Sequence, residues 1–279
     1  MLAKTLASLL PPMSNQERLN VAKIHSLAGL LIEDIPSTRP FRSPHHTSSQ
    51  IALIGGGSKA RPGEVSLANH GVLFLDEIPE YPRPVLEALR QPLEDRSISV
   101  IRANGRARYP ADFMLIATMN PCPCGYYGDA IRECSCTSQQ IILYQKRLSG
   151  PFLDRIDMII PVKRVESTSL LNTGSMSNNQ HISAVESINT SQLIQNNRYN
   201  CSTKYNSNLS SRELLSYAPL ASDAKCLLDT AANRLALSPR AYFKVIKVAR
   251  TIADLESAST ITIPHVSEAL QYRHAPSTS

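Results

Sequence analysis

Two short apolar runs, each ending abruptly in polar groups, constrain this chain most: Gly71-Val-Leu-Phe-Leu-Asp-Glu77 and Phe113-Met-Leu-Ile-Ala-Thr-Met-Asn120. Neither alternates polar with apolar residues, so neither suits a strand with one wet face. Near-continuous apolar runs of this length are what parallel strands buried on both faces require. Asp154-Arg-Ile-Asp-Met-Ile-Ile-Pro161 predicts a third such strand. Ligands of open α/β sheets sit outside the carboxyl ends of the strands. The polar residues closing these runs, Asp76, Glu77 and Asn120, are therefore the first candidates for chemistry.

The rest of the chain divides by composition. Residues 1–165 alternate helical patterns with short apolar runs, the rhythm of an α/β domain. Within them Ser97–Ala103, Asn104-Gly105 and Arg106–Tyr109 predict a hairpin on a tight turn that carries Arg102, Arg106 and Arg108. Over 168–211, Ser, Thr, Asn and Gln fill 26 of 44 positions, too polar for a core. Residues 166–211 therefore read as a polar linker, with one short helix expected around Ser183–Gln195. Residues 212–279 predict a small all-α domain. Ser238-Pro239 supplies an N-cap and a first-turn proline, and Val245, Val248, Ala249, Ile252 and Leu255 then recur on one face.

No apolar run reaches the roughly 18 residues of a membrane span. The N-terminal Leu6–Leu10 stretch is shorter than the about 7–15 residues of a signal-peptide core, and Pro11-Pro12 follow it. An amphipathic helix in a cytoplasmic protein is the expectation. The 29 Lys and Arg against 23 Asp and Glu leave a net charge of +6, which suits a polyanionic partner such as nucleotide or nucleic acid.

Asp76-Glu77 after four apolar residues fits a Walker B element. The Asp holds Mg²⁺ through water and the Glu polarises the attacking water; an acidic pair at a strand end is the plainer alternative. Asn120 suits either contact with a γ-phosphate or an Asn-Pro turn. Arg155 can neutralise phosphate charge or pair with Asp154 or Asp157. Arg240, at a helix start, can reach a phosphate or stay solvated. Cys122, Cys124, Cys134 and Cys136 form two Cys-x-Cys pairs that can surround one structural Zn²⁺, with Gly125 and Gly128 folding the loop back. Adjacent His45 and His46 are expected to face opposite ways, in a strand and its loop.

Taken together, the motifs resemble a known family. Arg39-Pro-Phe-Arg-Ser-Pro-His-His46, Gly55-Gly-Gly57, Arg61-Pro-Gly-Glu-Val-Ser-Leu-Ala68, Gly71–Glu77, Asn120-Pro-Cys-Pro-Cys-Gly125, Ser149–Asp157 and Leu237-Ser-Pro-Arg-Ala-Tyr242 are similar to the ComM/YifB family of magnesium-chelatase-like AAA+ ATPases. The resemblance implies a P-loop NTPase sheet domain followed by a helical lid, with ATP and Mg²⁺ as cofactors. It assigns Asp76 and Glu77 to Walker B, Asn120 to sensor 1, Arg155 to the arginine finger and Arg240 to sensor 2. It further implies homo-hexamers acting on DNA in branch migration and natural transformation, with the arginine hairpin directed to the channel.

One element of that pattern is absent from the sequence. No Gly-x-x-x-x-Gly-Lys-Ser/Thr loop occurs in the 279 residues, and Lys4-Thr5 follows Ala3 rather than a glycine turn. In the family this loop and the strand before it precede a Met-Leu-Ala-Lys-like segment. The expectation is therefore a C-terminal piece of a longer gene product with impaired nucleotide binding, lacking a strand between those ending near Asn120 and Ile160. Two alternatives stand beside it: the ATPase subunit of a magnesium chelatase, and a non-catalytic, zinc-stapled nucleic-acid-binding module.

Overall fold

The apolar run at 71–77 becomes the central strand of a parallel sheet. The computed structural model describes residues 2–30, 35–57, 60–102, 105–129, 131–162 and 176–273. They fall into two compact units, Met1–Arg155 and Ile156–Ser279.

The first unit runs α1 (Leu2–Ser8), α2 (Asn15–Ala28), β1 (Phe41–Arg42), α3 (Gln50–Ile54), β2 (Gly55–Gly56), β3 (Arg61–Pro62), α4 (Glu64–Leu67), β4 (Val72–Leu75), α5 (Arg83–Ala88), α6 (Arg90–Asp95), β5 (Ser97–Arg102), β6 (Gly105–Pro110), β7 (Met114–Ala117), α7 (Ser138–Gln145) and α8 (Gly150–Leu153). Its sheet has the order β1-β4-β7, parallel throughout. Val72, Leu73 and Leu75 are fully buried, which is why that run tolerates no polar residue. Gly71 admits β4 to the sheet: a Cβ there would lie 2.0 Å from the Pro40 carbonyl oxygen. β7 is less buried than its composition implies. Met114 and Ala117 are exposed and Leu115 and Ile116 half-buried, and among the described residues β4 is its one strand neighbour.

The arginine hairpin forms, with Ser97 opposite Pro110 and Arg102 opposite Gly105. Gly105 is thus a paired strand residue rather than part of the turn; Asn104 lies outside the described residues. The third strand expected in Asp154–Pro161 is not formed. Asp154 ends α8, and residues 156–162 have no regular structure. A strand needs a ladder partner, and here the Ile159 N–H instead donates to the Tyr272 carbonyl.

The second unit contains α9 (Met176–Tyr199), α10 (Ser211–Tyr217), α11 (Ser222–Arg234), α12 (Pro239–Leu255) and α13 (Ile263–Gln271). Its core gathers Leu214, Leu228, Val245, Ala249, Ala253, Ile261 and Val266 among others. Ser238 caps α12 by accepting the Ala241 N–H, as its sequence predicts. The polar stretch forms a 24-residue helix, longer than the one expected at 183–195. Polar groups hold its end alongside Tyr199, which packs against the core. Ser191 and Gln195 are buried, Gln195 Oε1 accepts the Asn206 N–H, and Arg198 grips the fully buried Asp254. Arg250, also fully buried, reaches the same carboxylate. No helix among the described residues is long and apolar enough to cross a membrane.

Candidate functional site

The register that aligns Leu75 with Ala117 sets Asp76 and Glu77 beside Thr118 at the carboxyl edge of the sheet. All three are exposed, as is Asn120 two residues further on. Burial ends where the strands end, so polar side chains here cost no desolvation. Glu77 has φ 49° and ψ 53°, a left-handed backbone. Such a conformation costs a residue other than glycine about 1–3 kcal/mol and persists only where neighbours hold it.

Thr118 is that neighbour. Its hydroxyl accepts the Glu77 N–H at 3.0 Å and donates to Asp76 Oδ1. Its backbone N–H donates to the Leu75 carbonyl at 3.0 Å, and its carbonyl accepts the Ile78 N–H at 2.9 Å. In the sequence Thr118 carries no signal of this role, since a threonine inside an apolar run reads as β-propensity. Only the cross-strand register reveals its role.

A cavity of about 250 Å³ opens beside the acidic pair, lined by Ser43, Pro44, His45, His46, Asp76, Glu77 and Tyr81. The histidines do not face opposite ways. β1 ends at Arg42, the following loop turns, and the two rings stack with centroids 4.0 Å apart. Thr47 donates its backbone N–H to His45 Nδ1, and its hydroxyl lies 2.9 Å from the same nitrogen. Tyr81 donates to the Pro44 carbonyl at 2.6 Å, and burial, with the charge of Asp76, pushes its phenol up to about 12. Tyr144, on α7, is tied to the Asn120 backbone; burial and the carboxylates of Glu80 and Glu77 push its phenol up.

Arg155 is mostly buried: Nε donates to the Arg90 carbonyl, Nη1 to the Pro151 carbonyl, and Nη2 to Glu94 at 2.6 Å. Glu94 is one carboxylate partner. Arg240 is half-buried in the first turn of α12, in the second unit. Arg108 is engaged within its own hairpin, donating to Ser97 Oγ from Nε and Nη2. Arg102 and Arg106 hold ladder positions in the same hairpin.

The four cysteines converge. All four sulfurs lie within 4.8 Å of one another, and Cys122 is fully buried. The Sγ separations of Cys122–Cys124, Cys122–Cys134 and Cys124–Cys134 are 3.4, 3.6 and 3.5 Å. They far exceed a disulfide bond of about 2.05 Å. They approach the edge of about 3.8 Å that a tetrahedron with Zn–S near 2.3 Å would have. Gly125 and Gly128, at φ 83° and 79°, make the left-handed turns that fold the loop back. A backbone N–H from Tyr126 leads the interactions that lower the Cys124 thiol to about 5. The Cys136 backbone favours the Cys134 thiolate, yet desolvation and the crowded thiols push Cys134 up to about 12. A lowered Cys124 thiol beside raised Cys134 and Cys136 thiols is a donor set that a divalent cation would bind with release of protons. The donor set fits zinc.

A parallel α/β sheet with an acidic pair at the end of its central strand, together with a helical second unit, is an AAA+-like arrangement. The chain belongs to the magnesium chelatase subunit ChlI family: the family model for subunit ChlI matches residues 1–170, and that for the ChlI C-terminal region matches 180–273. Among curated proteins it is similar to the competence protein ComM of Haemophilus influenzae, 45% identical over 274 residues, 98% of this chain and 53% of the relative. The YifB protein of Salmonella typhimurium is 44% identical over 280 residues, and that of Escherichia coli 40% over 275, each with 98% of this chain and 53% of the relative covered. The chain thus spans about half the length of the curated relatives it matches. Membership places it in a ChlI-like AAA+ ATPase family.

Proposed function

We propose that this chain supplies the Walker B edge and helical lid of an ATP-hydrolysing ring motor of the ComM/YifB type, acting on DNA in branch migration during natural transformation. The observation that carries the reading is the Asp76-Glu77 pair at the end of a buried parallel strand, beside Thr118 and Asn120 on the next. When ATP and Mg²⁺ are bound, Asp76 would hold the cation, Glu77 would take the proton of the attacking water and Asn120 would contact the γ-phosphate. Arg155 serves a neighbouring subunit's nucleotide after leaving Glu94, and Arg240 contacts phosphate from the lid. Arg102, Arg106 and Arg108 track a DNA backbone. The cysteines hold a structural zinc that staples the loop after Asn120. A role in competence rests on the likeness to the competence protein ComM alone, and homo-hexamer formation on the family resemblance of the motifs. A magnesium-chelatase ATPase subunit is separated from this reading by turnover that depends on porphyrin rather than DNA.

Residues 1–279 contain no Walker A sequence. Without its backbone N–H cradle and lysine, these residues alone are expected to bind nucleotide weakly. The test is titration of a fluorescent ATP analogue against residues 1–279 and against a product extended upstream in the reading frame. In whichever form hydrolyses ATP, Glu77→Gln keeps binding and loses turnover by about 10²–10⁴. Turnover unchanged by that substitution overturns the reading.

A further inference from the structure

The sequence Ala117-Thr118-Met119-Asn120 offers one hydroxyl at the exit of β7. The parallel register brings it level with Asp76, where both of its hydrogen-bonding capacities are used, one on each member of the acidic pair. A hydroxyl has one proton to give and lone pairs to accept with. Accepting from the Glu77 backbone and donating to the Asp76 carboxylate are compatible roles. The backbone of the same residue bonds Leu75 on one side of the pair and Ile78 on the other. Thr118 therefore brackets the turn at both ends and at its centre, and Glu77 at that centre has the left-handed φ of 49°.

We propose that Thr118 is the positioning residue of this site. It holds the Asp76-Glu77 turn in its left-handed form, so that the two carboxylates are presented together before any cation or nucleotide arrives. Its use in hydrolysis rests on the ATPase reading above; the turn itself does not. Donation to Oδ1 fixes the plane of the Asp76 carboxylate and leaves Oδ2 for a hydrated cation. Acceptance from the Glu77 N–H removes the main alternative for that amide, which is rotation towards water with collapse of the turn. The side chain suits the task because a β-branched residue has restricted χ1, so its oxygen is aimed by the backbone. Valine has the same shape and cannot bond, whereas serine bonds with a freer rotor.

Amide exchange by NMR on residues 1–279 reads the turn without nucleotide. In Thr118→Val the Glu77 amide should exchange about tenfold faster, the loss of one hydrogen bond's protection, with Val72 and Leu73 unchanged. Thr118→Ser should restore most of the protection. In any product containing these residues that hydrolyses ATP, Thr118→Val should lower kcat at least about tenfold with KM little changed, as expected when a reacting group is misplaced, and Thr118→Ser should recover it. Glu77 exchange unchanged in Thr118→Val, or a serine variant no better than valine, overturns the proposal. Altered exchange together with turnover insensitive to Glu77→Gln retains the positioning role and removes the ATPase reading.

Discussion

At Tyr81 a phenol is buried against the Pro44 carbonyl and beside the Asp76 charge, and it stays protonated up to about 12. An unfolded tyrosine ionises near 10. Between those values the folded state binds the extra proton, so stability falls as pH rises through the window; below it the contribution is complete. Denaturant midpoints measured from pH 9 to 12 should drop more steeply for the wild type than for Tyr81→Phe. Equal slopes would mean that the phenol does not hold its proton. Single residues also mark the limits of reading the chain. The strand-end position of Asp76 and Glu77 and the gathering of the four cysteines are legible because their letters are contiguous or closely spaced. Thr118 is not, because its partners are about forty positions away and become neighbours only through the register. His45 and His46 were misplaced because the alternation argument holds only inside a strand, and β1 has already ended.

Among the elements, the cysteine loop joins β7 to α7. Cys122 stands two residues beyond Asn120, and Cys136 directly precedes Thr137, the N-cap of α7. Gln145, at the far end of α7, donates back to the Pro121 carbonyl. A cation at the thiols would therefore fasten both ends of residues 122–136. Elemental analysis of protein purified without chelator should find one zinc per chain, and metal uptake by the apo-protein at pH 7 should release protons. Zinc removal should raise amide exchange across 121–137 and leave the β5–β6 ladder unaffected; a chain without zinc, or exchange blind to its removal, counts against the staple. Elements whose signal is local were legible, as with β4, the hairpin and the capped α12. The segment 154–161 misled because its apolar letters met no strand to pair with. Helix α9 was underestimated because its anchors, Asn206 and Asp254, lie in later segments.

Across the whole molecule, two units carry separate cores, and the second also encloses three charges: Arg198, Arg250 and Asp254. Removing the one carboxylate leaves two guanidinium groups facing each other in a poorly hydrated site. Asp254→Ala should destabilise the helical unit by about 3–5 kcal/mol. In a thermal scan this should appear as one transition displaced downwards while that of the sheet unit stays in place. A uniform shift of both would show that the units melt together. The two units divide at Arg155 and Ile156, so the polar stretch falls within the helical unit. The pairing of Leu75 with Ala117 has a further consequence for how such a gene can change. Substitutions within 113–117 alter packing by degrees, but a single-codon insertion or deletion there would turn the Thr118 hydroxyl to the opposite side of the sheet. The stretch should therefore drift in letters across descendants while keeping its length.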